Sequence, residues 1–151
     1  MSPASEHGAA EARDAAAAYR LDEQVGFALR RATQRHLAIF AGRMPELTPT
    51  QFAALARLHE LGPASQTALG RATAMDAATV KGVIDRLAAR GLVRAVPDAA
   101  DRRRLTVSLT PEGRALFERL AAAALAVSDE TLAPLSPAER RAFLALLRKL
   151  A

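Results

Sequence analysis

The fold is decided by residues 75–91, which read MDAATVKGVIDRLAARG. Asp76 is a preferred N-cap residue, and Gly91 suits the left-handed position that follows the last turn of many helices. Apolar side chains recur between them at helical spacing, at Val80, Val83, Ile84 and Leu87. The opposite face carries Thr79, Lys81, Gly82, Asp85 and Arg86. The stretch therefore predicts a helix within residues 76–90 that buries one face and offers the other to a partner.

Two of the predicted helices lie directly before this one. The run TPTQ at residues 48–51 places a hydroxyl at the N-cap, proline in the first turn and glutamine at N3, which is a capping box. A short helix follows from Ser65 or Gln66 to about Arg71, and a turn over residues 72–75 leads into the helix after Asp76. A short helix, a turn and a longer helix in this order predict a helix-turn-helix, whose second helix enters the major groove of DNA.

The pattern after Gly91 changes from helical to alternating. Residues 92–96 and 105–109 predict two short strands, and the polar connection between them ends in DRRR at residues 101–104. Such a hairpin forms a wing, and an arginine on it is attracted by the negative potential of the minor groove. Asp101 is placed to hold the guanidinium of Arg103 through a charge-assisted contact. Alternatively, Asp98 and Asp101 only shape the turn.

Helices flank this central part. Residues 21–42 show a helical apolar pattern, a helix begins at the TPE run of residues 110–112, and a capping box at residues 136–139 opens a terminal helix. Residues 1–18 lack a persistent apolar stripe and predict a weakly ordered, flexible tail, although their alanine content also allows partial helix formation. The fold class is mainly α with a small β-hairpin wing, in which residues 47–114 form a winged helix-turn-helix.

The composition narrows the function. The formal charge is +5, and lysine occurs only at Lys81 and Lys149, so arginine supplies the remaining cations. Arginine makes forked contacts to phosphates and guanine edges, although a GC-rich genome would produce the same bias. The absence of cysteine excludes disulfides, thiolate metal sites and thiol-based sensing. With no apolar run near the roughly 20 residues of a membrane span and no secretory signal, we expect a soluble, cytoplasmic protein without membrane contact.

These pieces together resemble the multiple-antibiotic-resistance regulator (MarR) family. The matching segments are LTPTQF (47–52), SQTAL (65–69), MDAATV (75–80), VIDRL (83–87), RGLV (90–93), DRRR (101–104) and VSLTPEG (107–113). The resemblance implies a homodimer whose dimerisation domain is helical and built from residues 19–46 and 115–151. Two reading helices related by a two-fold axis would bind double-stranded DNA at an inverted-repeat operator.

The resemblance also assigns candidate DNA contacts. The groove-reading helix of the family matches residues 76–86, which implies that Asp76, Thr79, Lys81 and Arg86 contact bases or phosphates. The phosphate-facing start of the preceding helix matches Ser65, Gln66 and Thr67. Arg103 matches the family's wing arginine, with Asp101 as the residue that orients it.

An effector site is implied in the first long helix. Family members often bind a small aromatic acid beside the dimer helices, where Arg31, Arg35 or His36 would pair with a carboxylate and Phe40 would stack on a ring. Residues 19–27 and 75–83 further resemble repressors of nicotinic acid degradation. That resemblance implies a repressor released by a hydroxylated pyridine carboxylate such as 6-hydroxynicotinate.

Other classes of protein fit the sequence less well. No nucleophile–base–orienter set and no metal spacing such as HExxH is present, so we expect no catalytic residues, no metal, no cofactor and no enzyme activity. Two alternatives stay open. One is a winged-helix regulator that responds to a different ligand, and the other is a non-enzymatic helical interaction protein that uses this fold without DNA.

Overall fold

A computed structural model describes the backbone of residues 3–151 and the side chains of residues 7–151. The chain divides into two compact units, one ending at Arg35 and the other spanning residues 36–151. Within the described residues, no helix is both long and apolar enough to cross a membrane.

The smaller unit is more helical than its sequence predicted. Helix α1 covers Pro3–Ala18, where we expected a weakly ordered tail, and alanine's high helix propensity accounts for the difference. The next predicted helix is also wrong at its start. Leu21–Glu23 form a short 3-10 helix, and Gln24 then adopts an extended conformation with ψ 132°. Helix α2 therefore begins at Val25 and covers Val25–Arg43, so that it runs into the larger unit.

The larger unit holds the predicted winged helix-turn-helix. Its further elements are α3 (Pro49–Leu61), β1 (Ala64–Ser65), α4 (Gln66–Ala72), α5 (Ala77–Ala89), β2 (Val93–Pro97), β3 (Leu105–Leu109), α6 (Pro111–Thr131) and α7 (Pro137–Lys149). The predicted caps are confirmed at Thr48, Asp76 and Ser136, where each side chain accepts a hydrogen bond from a backbone N–H in the first turn. Local polar chemistry thus sets the start of these helices.

The sheet has one strand more than the predicted hairpin. Within residues 3–151, three antiparallel strands lie in the order β1-β3-β2. Strand β2 pairs with β3 from Val93↔Leu109 to Pro97↔Leu105, and β1 pairs Ser65 with Thr106. The prediction missed β1 because two residues are too few to show a period. Its pairing connects the start of α4 directly to the base of the wing.

Helix α5 is held by its buried face. This face belongs to one apolar core that α5 shares with α3, α4 and α6. The core residues are Val80, Val83, Ile84 and Leu87 of α5, Leu55 and Leu58 of α3, Leu69 of α4, and Leu116 and Leu120 of α6. Two tight points fix the surrounding backbone. Ala74, in the turn before α5, is left-handed with φ 54°, and a Cβ at Gly113 would collide with the carbonyl oxygen of Leu92. These two points constrain the turn before α5 and the approach of α6 to residue 92.

Candidate nucleic-acid interface

A groove brings together predicted DNA contacts from three elements. This groove, called the wing groove below, is a cavity of about 310 Å³ lined by Ser65, Gln66, Thr67, Lys81, Arg103, Arg104 and Leu105. These residues come from the start of α4, the second turn of α5 and the end of the wing. The resemblance had suggested five of these residues as DNA contacts without showing their distances, and the structure places them side by side with Arg104 and Leu105.

The start of α4 supplies one wall of the wing groove. The hydroxyl of Ser65 caps the helix and accepts a hydrogen bond from the N–H of Ala68 at 3.1 Å. The N–H groups of a first helical turn have no acceptor within the helix, and the dipole favours negative charge there. Gln66 and Thr67 occupy this turn, so their position suits a phosphate contact.

The start of α5 depends on Asp76. Its carboxylate accepts a hydrogen bond from the N–H of Thr79 at 2.7 Å. This backbone hydrogen bond holds the pKa of Asp76 below its ordinary value. The carboxylate is therefore ionised, and its negative charge repels a phosphate. Because it caps the helix, its side chain is held in place. Asp76 sets the position of Thr79, whose side chain is exposed.

Two cations lie on the exposed face of α5. Nζ of Lys81 is 2.7 Å from Oδ2 of Asp85, one turn further along the helix. Arg86 is exposed on the same helix. Exposed pairs at this spacing are weak and easily exchanged, so Lys81 can leave Asp85 when a stronger acceptor approaches.

The wing turn contains both arrangements that the sequence left open. Asp98 shapes the turn, because its carboxylate accepts hydrogen bonds from the N–H of Ala100 at 2.8 Å and from the hydroxyl of Thr106 at 3.1 Å. The backbone hydrogen bond from Ala100 is the main reason why the pKa of Asp98 is lowered. Asp101 has the second role, since its Oδ1 lies 3.4 Å from Nε of Arg103.

Arg104 is a groove residue that the prediction missed. Its side chain lines the wing groove beside Arg103. Its backbone closes the turn, with its N–H donating to the carbonyl of Asp101 at 3.0 Å and its carbonyl accepting from Asp98 at 2.8 Å. Three consecutive arginines were visible in the sequence, but their directions depend on this turn.

The predicted effector residues have separate environments. In the smaller unit, Arg31 lies above the ring of Phe27 at 5.9 Å, and Arg35 is exposed. In the larger unit, Nδ1 of His36 is 2.9 Å from Oγ1 of Thr131. Phe40 is buried in the core, with its ring at 71° to Phe52. Stacking of Phe40 on a ligand was predicted, but its ring is already covered by the protein, so its observed role is packing.

The described side chains contain no cluster of three or more His, Cys, Asp or Glu residues that could hold a metal ion. The element order and the three-stranded sheet define a protein of the winged helix-turn-helix class. Comparison with known proteins then identifies the family. The model of the MarR family matches residues 47–105, and the chain belongs to this family.

Similar proteins cover nearly the whole chain. The transcriptional repressor NicR of Pseudomonas putida is 46% identical over 134 residues, which are 87% of this chain and 85% of NicR. A solved structure of a probable transcriptional regulator from Pseudomonas aeruginosa is 55% identical, with a TM-score of 0.83 over 87% of this chain and all of that one. The structure of Bordetella bronchiseptica BpsR, whose DNA binding is regulated by 6-hydroxynicotinic acid, is 48% identical, with a TM-score of 0.85 over 87% of this chain and 96% of BpsR.

Proposed function

We propose that this protein is a homodimeric transcriptional repressor that binds an inverted-repeat operator and is released by a pyridine carboxylate such as 6-hydroxynicotinate. The observation that carries the proposal is the wing groove, which joins a helix start, the reading helix and two wing arginines in one continuous surface. This surface combines an anion-attracting helix end with cations, which is what a DNA backbone and its grooves require.

The residues divide the work of binding DNA. Thr79, Lys81 and Arg86 face base edges or phosphates in the major groove, and Asp76 acts by fixing the first turn that carries Thr79. Ser65, Gln66 and Thr67 form the phosphate contact at the start of α4. Arg103, oriented by Asp101, enters the minor groove.

Dimerisation is proposed for the flanking segments, residues 19–46 and 115–151, with residues 47–114 as the DNA-binding domain. In the larger unit, Leu125, Leu146 and Leu150 are 71%, 60% and 72% exposed. In the smaller unit, Tyr19, Leu21 and Val25 are exposed as well. Large apolar side chains exposed to water are costly, and a second copy of the chain would cover them.

The effector is proposed from the similar proteins. The DNA binding of BpsR is regulated by 6-hydroxynicotinic acid, and NicR is a transcriptional repressor. In the larger unit His36 is the proposed carboxylate partner, held by its contact with Thr131. Arg31 and Arg35 stay predictions from the sequence as further carboxylate contacts.

The test begins with selection of an operator from random duplex DNA by the full-length protein. A repressor of this kind yields an inverted repeat with half-sites about one helical turn apart, and its affinity falls steeply with salt. Fluorescence anisotropy then measures operator affinity with 6-hydroxynicotinate, nicotinate and salicylate added separately. We expect release by 6-hydroxynicotinate at the lowest concentration.

The same measurements decide between the alternatives. Release by a different acid would identify a winged-helix regulator with another ligand. Failure to select any repeat, together with equal weak binding to all DNA, would overturn the proposal and favour an interaction protein. We also propose that the protein has no enzyme activity. Its proposed place of action is the cytoplasm, where a bacterial repressor meets the chromosome.

A further inference from the structure

Glu46 connects three parts of the larger unit. It lies between α2 and α3, and its two carboxylate oxygens accept hydrogen bonds from the two terminal nitrogens of Arg119 in α6, both at 2.9 Å. Its backbone carbonyl accepts a hydrogen bond from Arg90 at 2.7 Å. Arg90 is the C-cap residue of α5. Glu46, Arg90 and Arg119 are called the Glu46 latch below.

The geometry of the latch suggests that it orients the Glu46 and Arg119 side chains more than it stabilises the folded protein. The side chains of Arg119 and Glu46 are 60% and 42% exposed, so solvent screens their attraction and the pair adds little to the free energy of folding. A two-bond contact between a guanidinium and a carboxylate nevertheless fixes their relative direction. The hydrogen bond from Arg119 lowers the pKa of Glu46, so the carboxylate is charged at neutral pH.

Helix α6 carries Arg119 near its middle and a second contact at its C-terminal end. Thr131, at the end of α6, meets His36 at 2.9 Å. Between Arg119 and Thr131 the helix continues for about 18 Å without interruption. A rigid helix displaced at Thr131 moves its other contacts as well, because packed helices shift as units.

We propose that the Glu46 latch couples the position of α6 to the C-terminal end of the reading helix α5, so that Glu46 and Arg119 are positioning residues for effector release. The inference rests on the proposed function, because it assigns a route by which an acid bound near His36 alters DNA binding. Helix α6 acts as the connecting body, and the carbonyl of Glu46 transfers its position to Arg90.

The test compares Glu46→Gln with Glu60→Gln. Both variants remove one exposed carboxylate and change the charge equally, but Glu60 pairs with Arg57 inside α3 and touches no part of the latch. The measured quantity is the ratio of operator Kd with and without saturating 6-hydroxynicotinate. We expect a wild-type ratio of at least about 10, a similar ratio for Glu60→Gln, and a ratio lower by roughly fivefold for Glu46→Gln.

The Arg119→Lys variant separates the orienting effect of the two-bond contact from the effect of the positive charge. It keeps the cation and loses the fork, so the proposal expects a ratio between those of wild type and Glu46→Gln, with an unchanged salt dependence of operator binding. If the latch only stabilised the fold, its loss in these variants would lower Tm and leave the ratio unchanged. Equal ratios for Glu46→Gln and Glu60→Gln in a responsive protein would therefore overturn the inference.

A second measurement tests the latch without an effector. Amide hydrogen exchange at the end of α5, over residues 88–92, is expected to be several-fold faster in Glu46→Gln than in Glu60→Gln. If wild-type protein binds DNA but ignores 6-hydroxynicotinate, the effector assignment fails and the exchange result alone judges the latch. Unchanged exchange in Glu46→Gln would refute the latch even then.

Discussion

Oδ1 of Asp101 accepts from both the backbone N–H and the Nε of Arg103, at 3.1 and 3.4 Å. One carboxylate oxygen thus fixes the turn and also orients the guanidinium of Arg103. The Arg103 side chain is otherwise 93% exposed. Its long side chain would lose rotamer freedom on entering a groove, and the contact with Asp101 removes part of that loss before DNA arrives.

Replacing Arg103 with Ala should weaken operator binding by about 1–3 kcal/mol, because the wing loses its groove contact. The measurement is an anisotropy titration at several salt concentrations, in which the slope of log K against log salt should also fall by about one. Arg102→Ala is the matched control, because it removes the same charge from a neighbouring position that does not line the wing groove. Equal losses for the two variants would show that only charge matters here.

Asp101→Ala should also weaken operator binding, by less than Arg103→Ala. Loss of a carboxylate would by itself strengthen binding to a polyanion, so a weaker complex has the opposite sign to the charge effect. Asp14→Ala, which removes a carboxylate from α1, supplies the comparison for charge alone. Tighter operator binding by Asp101→Ala would contradict the orienting role.

Gly113→Ala should destabilise the protein severely, because the added Cβ would collide with backbone at Leu92. The close approach also serves the hydrogen bond from the hydroxyl of Thr110 to the carbonyl of Gly91 at 2.6 Å. Gly42→Ala is the control, since the added Cβ would meet nothing within 4 Å. Gly42 lies in the last turn of α2, so we expect a stabilisation of at most about 0.5–1 kcal/mol. Thermal unfolding measures both, and a Gly113→Ala protein as stable as wild type would disprove the clash.

The stabilising effect of Asp98 should depend on pH. Its pKa is lowered in the folded protein from an ordinary 3.8, so the folded state binds a proton less readily than the unfolded chain. The stabilisation is therefore complete well above that value and is lost as the pH falls through the folded pKa. Urea unfolding of wild type and Asp98→Asn should show a constant difference down to about pH 5 and a shrinking one below. A difference that grew on acidification would reverse the sign and reject this explanation.

The sequence predicted those features that depend on neighbours in the chain. Helix starts at Thr48, Asp76 and Ser136 follow from capping side chains three residues from their partners, and the face of α5 follows from a short period. Features that depend on distant residues were missed. Strand β1 exists only through β3, and Glu46 meets Arg119 across 73 residues of sequence.

The effector residues show the same limit. Phe40 and His36 lie one turn apart on α2, and the sequence treated them as one set. Their environments differ because Phe40 packs against Phe52, whereas His36 contacts Thr131. Both partners come from other helices. Helical spacing identifies a shared face, whereas burial depends on what packs against it.

The pairing of Ser65 with Thr106 has a consequence for which DNA sequences can be tolerated. Because backbone pairing joins β3 of the wing to the start of α4, we expect the wing arginines to keep a constant separation from the start of α4. A base pair inserted between the two contacts of one half-site would break one of them. We therefore expect the protein to tolerate a change of operator length between half-sites but not within one half-site.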